Sequence, residues 1–266
     1  ERNPPVADKV KRLEVIMDRR TFLKSVPAFT ALAAARPNLT EQVREKNESY
    51  GQAVQQAMPA SNLEQIKLMP PETQGGKTVL EALKERKSIR NIRDEKLPPQ
   101  MLSNLLWAAW GVNRQNGPFG QVGRTAASAS NSQEIDMYAV LPQGTYLYDA
   151  MSHSLTPAAS GDLRPKVSAH QRQNSMVKAP VILVYAVDIA RYKKSKLQEP
   201  GLRDIETQKS YYNVAAGLIA GNVYLFAASQ GLAAWFHNCN KQALAQELKL
   251  PDGHRVLYAQ TVGFPV

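Results

Sequence analysis

In the stretch "ERKSIRNIRDEKLPP", Arg86, Ser88 and Arg90 alternate where a helix-like pattern gives way to an extended one. Alternate side chains of an extended chain share a side. Two guanidinium forks and a hydroxyl would then project together, with Lys87 beside them. Such a set suits a phosphomonoester, because arginine offers paired charge-assisted donors and serine adds a neutral one. Basic residues at a helix C-terminus also complement the helix dipole without binding anything, so the stretch alone leaves both readings open. A second polar concentration, "RTAASASNSQEID", sets Ser128, Ser130, Asn131 and Gln133 just before the strand-like "IDMYAVL". It reads as a loop, as a cap at Ser128 or Ser130 opening a helical turn, or as a cradle for a polar cofactor. A helix start would expose backbone N–H groups as well.

Other chemistry is poorly supplied. Cys239 is the single cysteine, which excludes an internal disulfide and a cysteine-cluster zinc site. His153, His170, His237 and His254 show no paired metal-ligand spacing, and no metal is expected. The net charge of +10 invites a nucleic-acid reading. The basic residues are scattered, however, and none interleave with aromatics at a recognisable spacing, so a basic surface with some anion sites is expected instead. No apolar run reaches the ~18 residues of a membrane span.

These candidates need a scaffold, and 266 residues, 43% of them hydrophobic, can bury a sizeable core. Residues 1–36 read as an extension. From Met17, "MDRRTFLKSVPAFTALAAARPN" has the order of a twin-arginine export signal: Arg19-Arg20, then Phe22-Leu23-Lys24, then a short apolar stretch. The expected location is periplasmic or exported, and otherwise cytoplasmic. Residues 37–76, rich in Gln, Glu and Asn, read as a helix followed by the linker "MPPETQGG". Residues 77–266 form the main domain.

Within that domain, "KTVLEALKERKS" puts Val79, Leu80 and Leu83 on one helical face. "LPPQMLSNLLWAAWGV" opens with prolines suited to a first turn and continues at helical spacing. "IDMYAVLP" and "GTYLYDA" read as strands joined by a Pro-Gln-Gly turn. "APVILVYAVD" is a continuous apolar run, as for a central strand covered on both faces. "IETQKSYYNVAAGLIAGNVYLFAASQG" is the longest helix, with Gly231 as its C-terminal cap. A strand "LAAWFH", a helix "NKQALAQELKL" and a strand "RVLYAQTVGFP" follow. With no regular βαβ repeat, the order argues α+β around a mixed sheet.

"RKSIR", "SASNSQEI", "YLYDAMSHSLTPAASGDLR" and "NVYLFAASQGLAAWFHN" occur in an order and spacing that resemble the nitroreductase-like flavoprotein superfamily. "GTYLYD…H…L…GDLR" resembles its SagB-type dehydrogenase branch. The resemblance covers about Lys77 to Pro265. It implies a mixed sheet flanked by helices around a long central helix, and FMN held at a homodimer interface. By similarity, Arg86, Lys87, Ser88 and Arg90 would hold the phosphate and ribityl chain. Ser128, Ser130, Asn131 and Gln133 would approach the flavin from the other subunit. A backbone N–H among Phe236, His237, Asn238 and Cys239 would reach flavin N5 or O4. Cys239 stands where relatives often have glycine, so its side chain is expected to point away from the ring. Many relatives carry a further Lys or Arg after the "VGFP"-type strand. With Val266 directly after that strand, the resemblance would leave more of the phosphate charge to Arg86 and Arg90.

The resemblance implies an FMN-dependent oxidoreductase moving hydride or electrons through flavin N5, to or from a small-molecule or peptide substrate, with NAD(P)H as a candidate donor. The alternative is a flavin-binding or peptide-interaction protein that keeps the fold without turnover. No nucleic-acid partner and no integral membrane segment are expected.

Overall fold

"VILVYAVD" forms a strand buried along almost its whole length, and the rest of the fold is arranged about it. The computed structural model describes residues 63–169 and 178–266; residues 1–36, and with them the export motif, lie outside the described residues. The strands are β1 (Ile66–Lys67), β2 (Val112–Arg114), β3 (Gly123–Arg124), β4 (Ile135–Leu141), β5 (Gly144–Asp149), β6 (Ser154–Ser160), β7 (Val181–Asp188), β8 (Ala233–His237) and β9 (His254–Gly263). The helices are α1 (Val79–Glu85), α2 (Pro99–Trp110), α3 (Arg164–Val167), α4 (Ala190–Lys194), α5 (Ile205–Ser229) and α6 (Lys241–Glu247).

Seven strands form one sheet in the order β1-β6-β5-β4-β7-β9-β8, and β2 pairs with β3 separately. The α+β architecture, with a large sheet flanked by helices and one long helix, is the expected one. Every pairing is antiparallel, so in strand direction the sheet is not mixed. Alternation along the strands builds two cores. Val181, Leu183, Tyr185 and Val187 of β7 join Ile135, Met137 and Ala139 of β4 under α2 and α5. Ile182, Val184 and Ala186 face the other way, with Val140 and Leu244 of α6. A strand with apolar residues at every position is what two covered faces require.

Helix α5 starts at Asp204, whose carboxylate accepts from Thr207 N–H at 2.7 Å. It stops at Gly231, where φ of +69° suits a residue without Cβ. Three expectations change. Residues 37–62, most of the helix expected ahead of the linker, lie outside the described residues; in 63–68 there is no helix, and Ile66 and Lys67 pair with β6, so the sheet takes in residues ahead of Lys77. The "SLTPAAS" segment, not read as a strand, forms β6, and its Pro157 sits beside a register shift against β5, where a missing N–H is tolerated. The apolar face of α1 is turned outward: Leu80 is 78% exposed, Val79 and Leu83 are also exposed, and Ala82 is the buried residue. No described helix is long and apolar enough to cross a membrane.

Candidate functional site

Past the C-cap of α1 at Arg86, the chain runs extended beside β8, the edge strand of the sheet. Ile89 N–H donates to the Ala234 carbonyl at 3.0 Å, and Ile92 bridges to Pro265. Ile89 packs on Ile92, Ala179 and Ala233, while Arg86, Lys87, Ser88 and Arg90 are exposed. The Arg86 guanidinium lies over the Tyr224 ring at 5.3 Å and that of Arg90 over Trp235 at 5.3 Å. Ser88 Oγ hydrogen-bonds Tyr224 OH at 2.8 Å. Among the described residues no carboxylate pairs with Arg86, Lys87 or Arg90. Two guanidinium groups oriented on aromatic platforms, with Lys87 and a hydroxyl beside them and no counter-charge among the described residues, form a donor set that fits a phosphate. Tyr224 and Trp235 were not anticipated. They lie far along the chain, and only the helical position of Tyr224 facing β8 could have suggested it.

Tyr224 also reaches the strand. Its hydroxyl accepts from Phe236 N–H at 2.9 Å, so that N–H is already engaged. His237 is buried, with Nδ1 2.7 Å from the Asn238 carbonyl and Nε2 2.9 Å from Thr261 Oγ1. Burial pushes its pKa down and keeps the ring neutral. With both nitrogens occupied, this side chain does not reach the surface beside Arg90. Cys239 is buried in the core under α6, and burial pushes its thiol up to about 11. Asn238 is the exposed residue of the four. At ~pH 8 a thiol titrating near 11 is thiolate in about one molecule per thousand. Alkylation of Cys239 in the native protein should therefore run at least ~100-fold slower than in the denatured chain, as followed by mass spectrometry.

The second group lies in the loop between β3 and β4. Ser130, Asn131 and Gln133 all have φ near +50°, a strained choice for residues with Cβ. Side chains hold the loop there. Arg124 Nε donates to Gln133 Oε1 at 2.7 Å, and Gln133 Nε2 donates to the Val122 carbonyl at 2.9 Å. Asn131 Nδ2 donates to the same carbonyl at 3.1 Å, and Arg191 Nη1 to the Gln133 carbonyl at 2.7 Å. The Asn131 and Gln133 side chains thus spend their polar atoms on the loop itself. Ser128 Oγ accepts from Gln133 N–H at 3.0 Å instead of capping the single 3-10 turn Ala129–Asn131. Ser128 and Ser130 keep hydroxyl hydrogens for a ligand, and both line a cavity of about 510 Å³ with Tyr211 and Arg114.

The "GTYLYD…H…GDLR" signature makes joints of the fold. Tyr148 OH meets His153 Nδ1 at 2.9 Å, and His153 Nε2 meets Ser103 Oγ of α2 at 2.7 Å. Arg164 holds Asp162 through Nε at 2.8 Å and Nη2 at 2.6 Å, and donates from Nη1 to the Ala179 carbonyl at 2.9 Å.

Among the described residues no hydrogen bond or ring contact joins the 86–90 group to the 128–133 loop. Strands β7 and β9 lie between β4 and β8, a separation of roughly 14 Å at ordinary strand spacing. Helix α5 serves both groups: Tyr224 supports the first, and Asn222 Nδ2 donates to the Thr125 carbonyl ahead of the second at 3.1 Å. The same helix exposes Val214 (60%) and Leu218 (45%), and Gly217 and Gly221 face open space.

The chain matches the model of the nitroreductase family over residues 83–264. It is similar to a protein from Ralstonia eutropha assigned as a nitroreductase, with 34% identity and a TM-score of 0.67, covering 78% of this chain and 91% of that one. A protein assigned as a nitroreductase from Methanocaldococcus jannaschii is 26% identical over 159 residues, 57% of this chain and 74% of its own. A structure from Anabaena variabilis shares the fold at 16% identity and a TM-score of 0.56, covering 71% of this chain and 38% of that one.

Proposed function

This chain belongs to the nitroreductase family of oxidoreductases, and we propose that it is an FMN-dependent enzyme working as a homodimer. The observation that carries the proposal is the uncompensated set Arg86, Ser88 and Arg90, held on Tyr224 and Trp235 beside β8. Its chemistry is that of a phosphomonoester site. When bound, FMN would supply hydride or electron transfer at N5. This chain's own residues do the rest. Arg86 and Arg90 neutralise the phosphate, Ser88 adds a hydrogen bond, and Ser128 and Ser130 offer hydroxyls across an interface.

The homodimer reading rests on two features. The two groups do not meet within one chain, and α5 presents an apolar stripe with glycines that admit close approach. The SagB-type assignment rests on the Tyr148–His153 and Asp162–Arg164 signature. Those residues brace the scaffold and touch neither group, so they favour no particular substrate. NAD(P)H is the proposed donor. Anaerobic mixing of the purified protein with NADH or NADPH tests turnover: bleaching of the flavin bands and reoxidation by a quinone or nitroaromatic is expected. No bleaching with either donor, in a protein that dithionite does bleach, would leave the flavin-binding alternative standing.

Export through the twin-arginine route is also proposed, on the order of residues from Met17 to Asn38. A flavoprotein has a reason to cross a membrane already folded, since its cofactor is held by the finished fold. Arg19→Lys with Arg20→Lys should leave flavin content unchanged and retain the protein in the cytoplasm. Fractionation that shows the double variant distributed like the parent would end this reading.

A further inference from the structure

A cleft of about 680 Å³ opens between the start of β4, the end of β5, the Gly120–Arg124 segment and α4. That is within the size range of small-molecule sites; Asn131 and Gln133 of the second group form part of its wall, and the 86–90 group takes no part in it. Apart from exposed Lys194, its charges are settled except for one. Arg191 pairs with Asp136 and, at 3.2 Å, with Asp188. Asp149 accepts from Met151 N–H at 2.9 Å and Ser152 Oγ at 2.6 Å.

Arg124 is the exception. Its Nε donates to Gln133 and its Nη1 to the Trp110 carbonyl at 3.1 Å, both neutral acceptors. Among the described residues, the other three of its five N–H bonds have no protein acceptor and no carboxylate lies in ion-pair range. Burial pushes the guanidinium pKa down, with Tyr148, Asp149 and Asp136 offsetting it only in part. The group is held 5.2 Å over the Trp110 ring and so cannot swing out to solvent without losing that platform. Leu147, Ile135 and Met151 give the cleft an apolar side, and exposed Lys194 stands at its mouth without an acidic partner among the described residues. Gln121 of the cleft lining has its Oε1 buried without a donor among the described residues.

We propose that this cleft binds a small organic carboxylate, its anionic end gripped by Arg124 and its apolar body lying on Leu147 and Met151. The free N–H groups of a guanidinium match a carboxylate in number and geometry. An O–H or N–H on the same ligand would satisfy Gln121. The inference does not rest on the phosphate assignment, because no residue of the 86–90 group takes part.

The test is calorimetric titration of the full chain, carrying whatever cofactor it co-purifies with, using benzoate and its neutral analogue benzamide. Saturable benzoate binding, benzamide at least ~10-fold weaker, and at least ~10-fold loss in Arg124→Gln are expected. Equal affinities, or parent-like benzoate binding in Arg124→Gln, would overturn the proposal. So would a benzoate-induced shift of cofactor absorbance that survives in that variant, since the anion would then be elsewhere. Arg124 also braces the Gln133 loop. If Arg124→Gln does not fold, Lys194→Glu decides: it places an acid at the mouth and should weaken benzoate several-fold at low salt, and unchanged affinity counts against the site.

Discussion

Replacing Arg86 and Arg90 together with alanine should strip FMN from the protein. A charge-assisted hydrogen bond is worth about 1.5–3 kcal/mol. Each single variant is then expected to bind FMN at least ~10-fold more weakly, and the double variant at least ~100-fold. Both side chains are exposed and leave the fold only their contacts with Tyr224 and Trp235. Such exposed contacts contribute about 0.5–1 kcal/mol each, so the double variant should still fold. Flavin fluorescence quenching on titration reads the affinity, and circular dichroism reads the fold. Undiminished retention in the double variant would remove the phosphate assignment.

If the proposed α5 dimer forms, Leu218→Arg should turn it into a folded monomer that no longer keeps flavin. Leu218 is 45% exposed on one chain, so an arginine there is tolerated by the monomer. In a helix-on-helix interface the same charge would be buried without a partner, a cost of several kcal/mol and on the order of 100-fold or more in association. Light scattering at micromolar concentration reads the assembly. Flavin content should fall in step, because Ser128 and Ser130 would then be removed from the other chain's site. A monomeric parent, or a variant that stays dimeric and yellow, would contradict the α5 interface.

How far the sequence disclosed this depends on the reach of each signal. Strand β7 was legible because seven consecutive apolar residues, Val181–Val187, leave little choice, and α5 because of its length and the glycine, Gly231, that closes it. Strand β6 was not legible. Pro157 argues against a strand until the register shift beside it is seen. The apolar face of α1 was read from periodicity alone, and periodicity says which residues share a face, not which face is covered. Val79, Leu80 and Leu83 share one, and it looks outward.

The candidate site divides in the same way. The alternation of Arg86, Ser88 and Arg90 is a local pattern, and the Ile89 hydrogen bond to Ala234 makes the chain extended there, as the pattern requires. Tyr224, 136 residues from Ser88, has no local signature of its role. The composition of 128–133 pointed to hydrogen bonding. Only the folded loop shows that Gln133 and Asn131 turn theirs inward, onto Arg124 and Val122, leaving the hydroxyl hydrogens of the two half-buried serines for the cavity they line. Arg124 stood in the same quoted stretch, but nothing in the sequence marks a cation as lacking a counter-ion.

The absorbance spectrum of the purified protein, with mass analysis of what it releases on denaturation, tests the central claim most directly. The account predicts flavin bands and FMN at about one per chain. A colourless protein that takes up no added FMN, or one that releases a different cofactor without a phosphomonoester, would contradict it.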